Sequence, residues 1–199
     1  MSYCARFVLL ASCWLASTAS GAEWSTQPAG SRLEFVGTSQ GSEFTGRFNR
    51  FTPRIHFEPL QPATGSFDVT IDLASANTDN AERDQSLPTP DFFWIEKFPR
   101  ARFIANACKA VATPGSFQCQ GTLTLRGKTS KLTFPFAWSG DARKARLTSS
   151  VVLNRLDFGV GAGDWTDPAT IGHKVTVKVA LDLRAAAPVP AVPRFTPKT

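Results

Sequence analysis

The sequence predicts an all-β fold, an antiparallel barrel of eight or nine strands, eight being the count that suits closure, with a short helical segment near residues 79–97. Three observations carry this expectation. The chain is 42% hydrophobic and only 19% charged, so it holds enough apolar surface for a core and is not disordered. Its 14 Gly and 14 Pro disfavour long helices, while 16 Phe and 5 Trp against a single Met favour strands around an aromatic interior. Through the middle of the chain the apolar residues recur with a period of two, as half-buried antiparallel strands require.

From the N-terminus, residues 1–22 read as a secretory leader. Arg6 precedes the apolar run Phe7–Ala16, and the small residues Ser17–Ala22 follow, with Ser20 and Ala22 suited to a cleavage site after Ala22. The apolar run is too short to span a bilayer, and no stable membrane span is expected elsewhere. Leu10-Ala11-Ser12-Cys13 offers a lipoprotein alternative through Cys13. Export to an oxidising compartment is therefore expected. Loss of the leader removes Arg6, its one charge, and takes the formal net charge from +6 to +5.

Residues 23–184 form the expected barrel domain. Phe67, Val69, Ile71 and Leu73 alternate with polar neighbours, as do Leu132, Phe134, Phe136 and Trp138, and Val175 through Leu183. Weaker strand patterns cover Leu33–Gly37, Glu43–Phe51, Arg54–Glu58, Ala101–Val111, Phe117–Arg126 and Ala145–Asn154. Turn signals separate them, among them Thr113-Pro114-Gly115-Ser116, where Gly takes a positive φ cheaply. Short connections suggest a meander, and strands with one apolar face must close on themselves. Residues 78–87 break the alternation, and Asp79 could cap a helical turn there. Asp91 before Phe92-Phe93-Trp94-Ile95 reads as the N-cap of a second short helix, suited to a lid at a barrel mouth. Residues 185–199 are rich in proline and read as an extended, disordered tail.

With the leader removed, Cys108 and Cys119 remain. They flank a turn in an exported chain, which predicts a structural disulfide. Two thiols and the distant His56 and His173 lack metal-ligand spacing, so no metal is expected. No Lys/Arg run marks a nucleic-acid face. There is no Gly-x-Ser-x-Gly elbow, and Gly159-Val160-Gly161-Ala162-Gly163 has no helix after it to bind a phosphate. Neither an enzyme nor a cofactor is expected. A barrel of eight strands either fills with its own side chains or holds one small ligand. The aromatic surplus serves both readings: a filled, non-catalytic stress or interaction module, or an apolar tunnel. The tunnel reading takes Phe35, Phe44, Phe48, Phe51, Phe93, Trp94, Phe103, Phe134, Phe136, Trp138 and Phe158 as wall residues.

Several segments together bring a family into view. Arg83-Asp84-Gln85-Ser86-Leu87, then Asp91-Phe92-Phe93, then Phe98-Pro99-Arg100-Ala101-Arg102-Phe103 resemble the YceI-like pattern in its order. Leu123-Thr124-Leu125-Arg126-Gly127-Lys128-Thr129 is similar to its hairpin, and Asn154-Arg155-Leu156-Asp157-Phe158-Gly159 to its Asn-Arg-x-Asp-Phe-Gly segment. The resemblance runs from about Ser31 to Leu183. It implies a lipocalin-like barrel, hydrophobic inside, in a secreted or periplasmic protein that binds a polyisoprenoid or other long-chain amphiphilic lipid without catalytic residues. The Cys108/Cys119 pair and the proline-rich tail depart from that pattern. Arg83 is the candidate for meeting the ligand head group, since guanidinium matches phosphate. A structural role for it beside Asp79 or Asp84 competes with that reading. A homodimer is compatible with the sequence, which marks no interface.

Overall fold

Strand β1, Glu23–Ser39, turns at Gln40-Gly41 into a long antiparallel return made of β2, Ser42–Phe48, and β3, Phe51–His56. Both segments run along β1, so they act as one bent stave of the barrel. The computed structural model describes residues 22–186. The expected leader with Cys13 and the tail beyond Ala186 lie outside the described residues.

The next stave is likewise two segments: β4, Ser66–Asp72, beside β3, and β5, Ala76–Asn77, beside β2. A 3-10 turn, Leu73–Ser75, joins them, and the Asp72 side chain accepts from the N–H of Ala74 there. Then follow β6, Arg100–Ala110, β7, Ser116–Leu125, β8, Lys128–Gly140, β9, Lys144–Asn154, and β10, Lys174–Ala185. Each pairs antiparallel with its neighbour, and β10 closes on β1. The ten segments thus make the expected eight-stranded up-and-down barrel, in which closure removes the exposed edges.

Two local features depart from the strand pattern. β1 begins well before Leu33, because its ladder with β10 absorbs Pro28-Ala29-Gly30-Ser31 as an irregularity between Gln27 and Arg32. The β8–β9 ladder covers only Ala137–Gly140 against Ala145–Thr148. Pro135 has no N–H to donate at the next position, and the Ser149 hydroxyl donates to its carbonyl instead.

The disulfide forms as expected, between Cys108 and Cys119. It needs a bulge. Ala101, Phe103 and Ala105 face inward by alternation, and the next inward position would be Ala107. Ala107 instead takes a positive φ where the β6–β7 register shifts, so Cys108 turns inward opposite Cys119.

Helix α1, Ala81–Ser86, lies in the long connection before β6. Its N-cap is Asn80, whose side chain accepts from the Arg83 N–H; Asp79, the expected cap, pairs with Arg47 on the neighbouring strand β2. No second helix starts at Asp91. Residues 89–98 form successive turns, with Pro88 and Pro90 unable to donate and Trp94 in the left-handed region. The Asp91 carboxylate accepts from the Trp165 indole N–H instead. Among the described residues no helix is long and apolar enough to cross a membrane.

A candidate ligand-binding cavity

The barrel interior holds two separate cores. The lower one, at the end bearing both described termini, is centred on Phe57, which is 0% exposed. Its ring packs against Phe117, Phe136 and Trp138 at centroid separations of 4.9, 5.1 and 4.9 Å. The Trp24 indole N–H donates to the Phe57 carbonyl at 2.9 Å, so this polar group is satisfied inside the core. Cys108 and Cys119 belong to the same core. The upper core joins Phe35, Leu73 and Ala101 on the staves to Leu87, Phe93, Phe158 and Val160 in the mouth loops.

Between the cores the barrel is hollow. The cavity measures about 520 Å³, within the range of small-molecule sites. Leu33, Phe51, Val69, Phe103, Leu132 and Val177 are among its wall residues. Several of these point inward yet stay half-exposed, as side chains facing an open space must. Glycines let rings lie along the wall: a Cβ at Gly121 would sit 2.8 Å from the Phe103 ring, and one at Gly46 would strike Phe35.

Polarity is confined to the upper rim. Ser39 and Gln40 come from the β1–β2 turn, Asn80, Glu82, Arg83 and Ser86 from α1 and its cap, and Arg155 and Thr170 from the β9–β10 connection. Arg83 lies over the Phe44 ring at 4.2 Å and donates from Nε to the Thr78 hydroxyl at 3.0 Å. It pairs with neither Asp79 nor Asp84. Asp84 accepts instead from the N–H and hydroxyl of Thr78. The two terminal guanidinium nitrogens of Arg83 make no hydrogen bond among the described residues.

Arg155 is the residue the sequence reading passed over. It is 5% exposed, and its guanidinium donates to the carbonyls of Val160, Gly161, Trp165, Ile171 and Gly172. Burial pushes its pKa below the ordinary arginine value. Among the described residues no carboxylate pairs with it; the five carbonyls satisfy the whole donor fork and fix the β9–β10 loop over the mouth. An Arg in an otherwise polar motif gives no hint of burial. Only the fold reveals that the loop wraps around it.

Of the eleven aromatics expected in the wall, Phe35, Phe44, Phe48, Phe51, Phe93, Phe103, Phe134 and Phe158 line the cavity. Three do not. Phe136 and Trp138 lie deeper on β8, inside the lower core. Trp94 packs beside Phe98 and under the Lys97 ammonium, 4.5 Å from its ring, because its left-handed backbone turns it away from the mouth. A barrel filled throughout does not describe the molecule: the lower half is filled, and a hollow lies between it and the upper core at the mouth.

A closed up-and-down barrel with an apolar hollow and a polar rim is lipocalin-like in architecture. The chain belongs to the YceI-like family, whose domain model matches residues 24–183. A UPF0312 protein of Pseudomonas putida (strain W619) is 28% identical over 121 residues, which is 58% of this chain and 62% of the relative. The match thus spans less than two thirds of that relative's length. Among solved structures, Burkholderia cenocepacia BcnA superposes with a TM-score of 0.75 at 26% identity, over 79% of this chain and 99% of BcnA. A polyisoprenoid binding domain from Saccharophagus degradans, implicated in plant cell wall breakdown, shares the fold with a TM-score of 0.63 at 17% identity, over 84% of this chain and 99% of that domain.

Proposed function

We propose that the protein is a periplasmic carrier that holds a polyisoprenoid or similar amphiphilic lipid, tail in the hollow and head at the rim. The observation that carries this reading is the separation of polarity in the cavity: apolar from floor to shoulder, polar only at the mouth. Burying ten carbons there contributes about 8 kcal/mol gross, from which the costs of association are subtracted. The terminal nitrogens of Arg83 suit a phosphate or hydroxyl head. The polyisoprenoid-binding domain of the same fold supports the choice of ligand class. The leader pattern and the disulfide support an exported, oxidising location. No residue is assigned a catalytic role.

The test is native mass spectrometry and lipid extraction of protein purified from the periplasm without detergent. A co-purifying amphiphile released by solvent is the expected result. A lipid-free protein that also fails to bind added prenyl alcohols overturns the proposal. Val179→Trp, which puts an indole into the hollow from β10, should abolish binding while the barrel keeps its circular-dichroism spectrum.

A further inference from the structure

We infer that the cavity takes a short tail, about three prenyl units or a dozen linear carbons, and that the lower core is the stop that sets this length. The inference rests on the lipid-binding reading. The hollow ends at one level around the barrel. On β10, Leu181 faces the cavity and Leu183 lies in the lower core. On β8 the boundary falls between Phe134 and Phe136, and on β6 between Phe103 and Ala105.

The same boundary gives the depth. Below the polar rim at Ser39, Gln40 and Thr170, the strand-walled part of the cavity runs from Val175 to Leu181, six positions apart on β10. Six residues at about 3.3 Å each cover about 20 Å of strand. A strand tilt of about 40° reduces this to about 15 Å along the barrel axis. A zigzag of carbon–carbon bonds of about 1.5 Å advances about 1.25 Å per atom, so roughly twelve main-chain carbons reach the floor.

The floor cannot recede cheaply. Phe57 beneath it is enclosed by aromatic rings, and the Cys108–Cys119 bridge ties together the two strands that frame them. A longer tail must leave its excess outside the mouth, where it adds no burial.

The experiment titrates delipidated protein, disulfide intact, with 1-alkanols of increasing length by displacement of a fluorescent probe. Affinity should tighten about fourfold per methylene, the equivalent of about 0.8 kcal/mol, and level off near twelve carbons. Farnesol should bind at least as tightly as geranylgeraniol. Phe134→Ala should move the break to longer chains by about two to four carbons, since the lost ring leaves space at the floor. Leu181→Ala serves the same purpose if the first variant fails to fold. Failure of every alkanol and prenyl alcohol to bind defeats the carrier reading itself. Binding that tightens steadily through eighteen carbons, a break well short of eight, or a break unmoved in the folded floor variant leaves the carrier reading standing and overturns the length stop.

Discussion

Replacing both Cys108 and Cys119 with alanine tests how far the lower core depends on its covalent clasp. The bridge closes a loop with a sequence separation of 11. The chain-entropy relation for a loop of that size gives about 9 cal/mol/K, or about 2.8 kcal/mol at 25 °C. Both sulfurs lie inside the lower core, so truncation also leaves a small void there, worth about 1 kcal/mol more. The expected loss is therefore about 3–4 kcal/mol, and at about 2–4 °C per kcal/mol the midpoint of thermal unfolding falls by roughly 10 °C. Equilibrium urea unfolding of the oxidised protein and of C108A/C119A reads this directly. Thiol counting on the denatured, unreduced mature protein should find no free cysteine. A loss below about 1 kcal/mol, or two titratable thiols, refutes the view that the bridge clamps the barrel floor.

Other perturbations act on the mouth and on the lower turns. Arg155→Lys replaces a planar fork with three donors and orphans at least two of five buried carbonyls, so urea unfolding should show a loss of about 2–4 kcal/mol. Arg83→Gln should weaken binding of a prenyl phosphate about tenfold and leave the matching alcohol nearly unchanged, as read by probe displacement. The Asp141 carboxylate accepts the backbone N–H groups of Arg143 and Lys144 at 2.7 and 2.9 Å, which hold its pKa below the ordinary carboxylate value. A group lowered in the folded state contributes stability above its unfolded pKa and loses it as pH falls through the folded value. Thermal unfolding of the native protein should therefore weaken below about pH 4, and the gap between it and Asp141→Asn should narrow on the acid side.

The strands were legible because a period of two survives even in weak runs, and the motifs that mark the family lie where the loops and hairpins of this barrel fall. Height within the barrel was not legible. Phe134 and Phe136 share a strand and a face, yet one is floor and the other lies in the plug, and only the register of eight staves separates them. Trp94 looked like Phe93 in a run of large apolar residues, until a positive φ sent it elsewhere. The helix cap moved by one residue, from Asp79 to Asn80, because either side chain can accept an N–H and only the backbone path chooses. Arg155 escaped notice for a related reason: its partners are carbonyls, which no sequence pattern reports. The composition fitted a packed core and a cavity wall equally well, and the molecule uses its aromatics for both, one above the other.

The measurement that reaches the proposal most directly is a crystal structure of the protein with farnesol or farnesyl phosphate bound. Continuous tail density from the floor at Phe134 and Leu181 up to a head group beside Arg83 is the expected result. A ligand seated on the outer face of the barrel, with the hollow collapsed or filled by side chains, contradicts the carrier reading.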